Sequence, residues 1–237
     1  MNIEKIFSVS TKLFNDTIRS ILPFILLYSI FVIFLNYFSK FSELSEELIV
    51  APTTFFDIIM LLISYSINLL YSILIIQFII RKKNHSNLKF NLNSIIQMAI
   101  KITALYLIIF VPGIILWIIT NMIINLRAAN IFLLLIPSLY LITFFSQYFI
   151  IDKQKNIFES VLLSYNLITK NLNKFFVLIL INCFFLIVMF YIGIFLGQFM
   201  IGMHSMLINV QLYFITIFNI QYYFYLQKLE DTLSFNE

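Results

Sequence analysis

The chain has 237 residues, a mean hydropathy of +0.99 and only 11% charged residues, whereas charged residues make up about a quarter of an ordinary soluble domain. These values exclude a soluble globular protein and predict an all-α integral membrane protein, because apolar runs of about 20 residues cross a bilayer as helices. The net charge of +4 arises from basic residues in short segments between the apolar runs, so we expect membrane lipids as partners and no nucleic acid.

The N-terminal third begins with an amphipathic pattern. Residues 3–19 place apolar side chains at helical spacing and charges on the other side, which predicts a helix lying in the membrane interface. A cleaved signal peptide is excluded because Glu4 and Asp16 interrupt the segment, so we expect the first span, 21–38, to remain in the protein.

Six spans are predicted in total. A basic loop after the second span leads into a surface-lying segment at 88–99, and a second interfacial helix at 157–172 separates the fourth and fifth spans. The predicted spans are 21–38, 53–80, 102–124, 131–151, 175–197 and 206–226, forming a single polytopic domain over 1–237.

The distribution of Lys and Arg predicts the orientation. Twelve lie in the N-terminal segment, the 81–94 loop, the 152–174 segment and the tail, whereas the opposite loops hold only Lys40 and Arg127. Because cytoplasmic loops carry the excess of Lys and Arg, both termini are expected in the cytoplasm. The bias toward Ile, Phe, Asn and Lys, with few Ala, is typical of an AT-rich bacterial genome, which predicts a bacterial inner membrane.

Reactive side chains form no recognisable constellation. His85 and His204 are predicted on opposite sides of the membrane, the single Cys183 lies in an apolar run, and only four Gly are available for a phosphate-binding loop. We therefore expect no catalytic residue, no metal site and no cofactor. Polar residues inside the spans, such as Asn182, are expected to form hydrogen bonds between helices.

Two motifs within the spans concern packing. Pro112-Gly113 is expected to kink the third span, and Gly193 and Gly197 form a GxxxG pair that allows close approach of a neighbouring helix. The first motif is also typical of transporters with discontinuous helices, and the second of homodimers. We favour packing within the bundle for both.

The segment 157–172 has an apolar stripe that includes Phe158, Val161, Tyr165 and Ile168. Lysines on the opposite side are expected to face anionic head groups. We predict that the stripe docks on the leaflet or under the helix bundle.

The same region carries a family resemblance. Ile136-Pro137-Ser138-Leu139-Tyr140, then Ile151-Asp152-Lys153, then Glu159-Ser160, Ser164 and Thr169-Lys170-Asn171 resemble the signature of the YciC-like bacterial inner-membrane proteins, which are related to the membrane domain of some glycerophosphodiester phosphodiesterases. The resemblance covers about 40 residues and implies a six-span protein without an assigned reaction. Asn171 stands where the pattern has Gly, and Asn also tolerates the left-handed conformation that closes a helix.

The sequence thus predicts a non-enzymatic accessory or structural component of the envelope. The alternative is a small transporter or channel subunit that needs a membrane-protein partner or a homo-oligomer to complete a polar path. Scarcity of charge inside the spans favours the first hypothesis.

Overall fold

A computed structural model describes residues 3–44, 55–84, 91–123, 135–197 and 201–234. Every regular element in these ranges is an α-helix, as the sequence predicts. The predicted loops are only partly covered, since residues 45–54, 85–90, 124–134 and 198–200 lie outside the described residues. The helices are α1 (Ile3–Leu44), α2 (Phe55–Lys83), α3 (Leu92–Ile123), α4 (Leu135–Ile142), α5 (Ser146–Lys153), α6 (Ile157–Lys170), α7 (Leu172–Gly197) and α8 (Ile201–Ser234).

Four of these helices are long and apolar enough to cross a membrane, judged within the described residues. The qualifying segments are Ile3–Phe34 of α1, Leu62–Lys83 of α2, Leu92–Pro112 of α3 and Leu172–Met189 of α7. They correspond to the predicted first, second, third and fifth spans. The prediction of an all-α protein with apolar spanning helices is confirmed in this form.

Two predicted surface segments are continuous with the spans that follow them. The predicted interfacial helix at 3–19 and the first span belong to one helix of 42 residues, about 63 Å long. Likewise α3 begins at Leu92 and not near residue 102. No Gly or Pro lies between Leu92 and Ile102, so nothing in the local sequence ends a helix there.

The predicted fourth span, 131–151, is not one continuous helix. Its described part consists of α4 and α5, separated by a turn at Thr143–Phe145. The Thr143 hydroxyl donates back to the carbonyl of Leu139 at 2.8 Å, and the missing helical hydrogen bonds are replaced by a side chain from α6, described below. Apolar composition alone predicts an unbroken helix because it carries no information about such a partner.

The chain divides into two compact units, residues 1–75 with 176–222 and residues 76–175 with 223–237. In the first unit, α1, α7 and α8 share an aromatic cluster in which Phe14 and Phe185 lie 5.6 and 5.8 Å from Phe214, measured between ring centroids. Tyr28 of α1 stacks on Tyr71 of α2 at 4.0 Å.

Hydrogen bonds between polar side chains also join helices within the first unit. Three interhelical pairs are described: Asn182 Nδ2 donates to Asn219 Oδ1 at 2.9 Å, Asn209 Nδ2 to Ser29 Oγ at 2.8 Å, and Tyr213 Oη to Thr17 Oγ1 at 2.6 Å. The expectation that polar residues in the spans bond neighbouring helices is met by these pairs.

The second unit is built around Phe145, which is fully buried in the turn between α4 and α5. Its ring centroid lies 5.7 Å from that of Phe175 and 6.0 Å from that of Tyr223. Helices α3, α4, α5 and α6 pack against one another in this unit. Here Tyr106 Oη of α3 donates to Gln147 Oε1 of α5 at 3.1 Å.

Candidate functional site

Helix α6 supplies the side chain that completes the broken helix. Ser164 is fully buried, and its hydroxyl donates to the carbonyl of Ile142 at 2.9 Å while accepting the N–H of Phe145 at 3.1 Å. These are backbone groups left without helical partners where α4 ends and α5 begins. One hydroxyl therefore satisfies both sides of the break, at a place where an unpaired group would be costly.

The apolar stripe predicted on this helix is divided between two environments. Ile168 is buried together with Leu167 and the two serines of the same face, Ser160 and Ser164. Phe158, by contrast, is 80% exposed. Of the other stripe residues, Val161 is half-buried and Tyr165 and Leu162 are exposed. The inward face thus combines two serines with Leu167 and Ile168, whereas the large apolar residues Phe158, Leu162 and Tyr165 face outward.

The turn between α5 and α6 is closed by an unusual backbone conformation. Gln154 adopts the left-handed region, with φ 52° and ψ 27°, and its N–H donates to the carbonyl of Phe149. Among the described non-glycine residues it alone has positive φ. Asn171, the position expected to favour this conformation, has φ −125° and ends α6 by donating its side-chain amide to the carbonyl of Leu167.

Lys101 holds this turn to α3. Its ammonium donates to the carbonyls of Gln154 at 3.3 Å and Lys155 at 3.2 Å. On the far side of the turn, Asn156 Oδ1 caps α6 by accepting the N–H of Glu159 at 2.8 Å. Lys101 immediately precedes the predicted third span, 102–124, and nothing in the sequence predicted its role in fixing this turn.

Asp152, at the end of α5, is half-buried beside groups from α8. The Tyr223 hydroxyl donates to Oδ2 over a long 3.4 Å, and Gln227 Nε2 in turn donates to the Tyr223 oxygen at 2.7 Å. Burial raises the pKa of the Asp152 carboxyl above its ordinary value of 3.8, while the positive charges of Lys153 and Lys83 and the Tyr223 hydrogen bond oppose that rise. Lys83 itself lies 3.5 Å above the ring centroid of Phe224.

A polar cavity of about 170 Å³ opens beside this carboxylate. Gln77 is 4% exposed there; its Nε2 donates to the Met98 sulfur at 3.0 Å, and its Oε1 has no hydrogen-bond partner within the described part of the chain. The cavity is lined by Gln77, Ile80, Arg81 and Asn84 at the end of α2, Met98 of α3, and Ile151, Asp152 and Gln154 at the end of α5.

A second cavity, of about 440 Å³, lies in the first unit and is mainly apolar. Phe7 and Phe14 of α1, Phe185 of α7 and Phe214 of α8 form much of its wall. No Asp, Glu, Lys, Arg or His lines the described wall of this cavity, so it offers shape and apolar surface without charge.

The proline and glycine residues that the sequence suggests as packing candidates lie on three different helices. Pro112 and Gly113 lie within α3, which continues to Ile123, and the Pro112 side chain is exposed. Pro137 is the third residue of α4, in the first turn, where the missing N–H is tolerated. Gly193 and Gly197 lie on α7, Gly197 being its last residue. Their roles in kinking or close packing remain predictions.

Sequence reasoning missed the cavity and the hydroxyl bridge. One signal was present: Ser160 and Ser164 lie four residues apart on one face of an amphipathic helix, and such a pair indicates a polar contact. Gln77 is one of the polar residues within the spans that were expected to bond another helix, but only the fold brings it beside Met98 and Asp152.

Fold and site together describe an all-helical protein with apolar helices able to cross a membrane and a small polar cavity at helix ends. Among the described residues no group of three or more His, Cys, Asp or Glu could hold a metal ion. No protein-family model matches the chain, and neither a curated protein nor a solved structure shows significant similarity to it.

Proposed function

We propose that the chain is a six-span protein of the bacterial cytoplasmic membrane, with both termini in the cytoplasm, acting as a non-enzymatic accessory or structural component of the envelope. The four apolar helices and the twelve-to-two distribution of basic residues support this location. The resemblance to YciC-like proteins agrees with it and implies no reaction.

The observation that carries the structural role is the pairing of polar groups with one another. Asn182 bonds Asn219, Asn209 bonds Ser29, and Tyr106 bonds Gln147, all at 2.8–3.1 Å. Groups paired in this way hold helices together and do not present a continuous row of vacant sites to a solute.

A small transporter or channel subunit is the second candidate, and the break between α4 and α5 favours it, because transporters bind substrates where spanning helices are interrupted. In those sites the interrupted backbone is available to the substrate. Here the Ile142 carbonyl and the Phe145 N–H already bond Ser164, which favours a locked structural joint.

Reconstitution into proteoliposomes separates the two candidates. The protein would be tested for flux of ions and small polar solutes, beside empty vesicles and a Ser164→Ala variant. If the chain is an accessory protein, we expect vesicles containing the parent or the variant to show the same flux as empty vesicles. We also expect the variant to melt at a lower temperature than the parent. Flux through the parent that Ser164→Ala changes, at equal protein incorporation, would establish the transporter.

A co-purification experiment addresses the accessory role directly. Solubilisation in mild detergent followed by size measurement should recover the chain with a membrane-protein partner or as a homo-oligomer. A strictly monomeric chain that neither binds a partner nor changes envelope integrity when deleted would contradict the accessory role.

A further inference from the structure

We propose that the polar cavity at the ends of α2 and α5 binds a phosphate ester bearing a primary ammonium group, the chemistry of an aminophospholipid head group. This inference is independent of the accessory role. It rests on the groups that line the cavity, their charges and their place in the fold.

The cavity is suited to a cation at one end. Its wall includes the C-terminal ends of α2 and α5, where the helix dipole gives partial negative charge, and the Asp152 carboxylate adds a full one. The side chain of Lys101 shows that an ammonium is accepted in this region, because it bonds the carbonyls that follow α5 at 3.2 and 3.3 Å.

Gln77 provides the acceptor that a bound ammonium would use. Gln77 is only 4% exposed, and Oε1 has no partner among the described residues. A buried amide oxygen without a hydrogen bond costs free energy, and a donor that reaches it from inside the cavity removes that cost. An ammonium has three N–H donors, enough for both Gln77 Oε1 and the Asp152 carboxylate.

The other charge on the cavity wall suits a phosphate. Arg81 presents a guanidinium, whose fork of N–H donors matches phosphate oxygens, and Asn84 adds a side-chain amide beside it. A cation and a carboxylate on one small cavity are complementary to a ligand that carries both charges. A purely anionic ligand would instead meet the Asp152 carboxylate.

The size and location of the cavity restrict the choice of ligand further. At about 30 Å³ for each water molecule, 170 Å³ corresponds to about six waters, which suits a phosphate, two carbons and an amine but not a nucleotide. The cavity lies where the apolar part of α2 gives way to Arg81, Lys82 and Lys83, the sequence pattern found at head-group level. Any acyl chains would therefore remain outside the cavity, in the bilayer.

The test uses the full chain in nanodiscs of equimolar phosphatidylethanolamine and phosphatidylglycerol, with native mass spectrometry of the lipid retained on release. We expect about tenfold preference for phosphatidylethanolamine. Its charged ammonium forms stronger hydrogen bonds than the neutral hydroxyls of phosphatidylglycerol. Asp152→Asn should remove most of that preference, because it alters the ammonium end of the cavity. Arg81→Gln should weaken the retention of both lipids, because both carry a phosphate. Their matched controls, Glu159→Gln and Lys82→Gln, alter exposed charges that do not line the cavity and should leave preference and retention unchanged.

A second experiment, with soluble compounds, distinguishes a lipid head group from a free phospho-amine as the ligand. Lipid-free protein in detergent would be titrated with O-phosphoethanolamine, inorganic phosphate or Mg²⁺ while the melting temperature is recorded. A rise in melting temperature with O-phosphoethanolamine alone supports the proposal. If the protein shows that rise but no preference between the two lipids, the ligand is a soluble phospho-amine. A rise in melting temperature with Mg²⁺ alone or with phosphate alone overturns the proposal. Equal retention of the two lipids, with no rise in melting temperature for any of the three compounds, also overturns it.

A further variant tests the phosphate end of the cavity without changing a buried residue. Asn84 is exposed, so Asn84→Asp cannot disturb a core, yet it places a second carboxylate where the phosphate is expected. We expect the parent melting temperature and about tenfold weaker phosphatidylethanolamine retention. Unchanged retention in this variant would contradict the assignment of the phosphate end of the cavity.

Discussion

Ser164 joins α6 to the break between α4 and α5 in the second unit. Its hydroxyl serves two buried backbone groups belonging to two different helices, Ile142 and Phe145. Serine has only a moderate helix propensity. At this position its small side chain reaches the break without displacing the aromatic rings packed around Phe145.

Replacement of Ser164 by Ala should therefore lower stability. Two buried backbone groups would lose their partner, at a cost of about 2–4 kcal/mol in total. The melting temperature in detergent measures the effect. Ser66→Ala is the control, because Ser66 is exposed and, within the described part of the chain, bonds only Leu62 of its own helix. Equal melting temperatures for the two variants would contradict the bridging role.

Gln154 carries a local conformational penalty that glycine would not. A side chain with a Cβ pays about 1 kcal/mol for the left-handed conformation, since Cβ approaches the following carbonyl oxygen. Gln154→Gly should therefore raise the free energy of unfolding by about 0.5–1 kcal/mol, and Gln154→Val should lower it. If both variants melted like the parent, the turn would not hold this conformation in solution.

Asp152 should make stability depend on pH. Because burial raises the pKa of this carboxyl in the folded protein, ionisation is less favourable there than in the unfolded chain, so its contribution destabilises as pH rises from about 4 through the folded-state pKa. Asp152→Asn removes that term. The melting-temperature difference, variant minus parent, should grow as pH rises over that window; a difference that shrinks would reverse the sign of the pKa shift.

At the scale of elements, α6 has two distinct faces. The inward face, Ser160, Ser164, Leu167 and Ile168, packs in the second unit, and the outward face presents Phe158, Leu162 and Tyr165. The outward residues recur at positions i, i+4 and i+7, so they form one apolar surface suited to the head-group boundary of a leaflet.

Aspartate substitutions on the two faces should therefore differ. Ile168 is 5% exposed, and Ile168→Asp buries a carboxylate or detaches the helix, costing several kcal/mol. Phe158→Asp changes an exposed position and should cost much less in detergent. Melting temperatures of both variants test this, and Lys170→Gln serves as an exposed control; a larger loss for Phe158→Asp would mean that α6 docks by its outward face.

A fluorescent label tests what the outward face contacts. In a Cys183→Ser background, an environment-sensitive probe on Phe158→Cys should shift to the blue when the protein passes from detergent into vesicles. The same probe on Lys170→Cys, on an exposed polar position, should not. Identical spectra for both labels would show that the outward face does not enter the leaflet.

For the whole molecule, the distribution of basic residues leads to a topology that can be measured. Reporter fusions after residues 45, 128 and 202 should indicate the outer side, and fusions after 86, 156 and 232 the cytoplasm, because Lys and Arg are retained there. Residue 156 is the most informative position, since four basic residues of the 152–174 segment predict its side. A periplasmic signal at 156 would overturn the six-span topology.

The sequence by itself determined the class of the protein and the position of most helices. Length and apolarity suffice for this, because a backbone in hydrocarbon must satisfy its own hydrogen bonds and long apolar runs therefore become helices. The start of α6 was also predictable, since Asn156 followed by Glu159 is a capping sequence that acts locally.

Only the tertiary structure decided the features that depend on distant residues. The break at Thr143–Phe145 requires a hydroxyl from 19 to 22 positions further along, and the cavity requires Gln77, Met98 and Asp152 to meet. Apolar patterning gives the same signal for a continuous and an interrupted helix, because the difference lies in which partner satisfies the two backbone groups at the break. That partner is chosen by packing, which hydropathy along the chain does not encode.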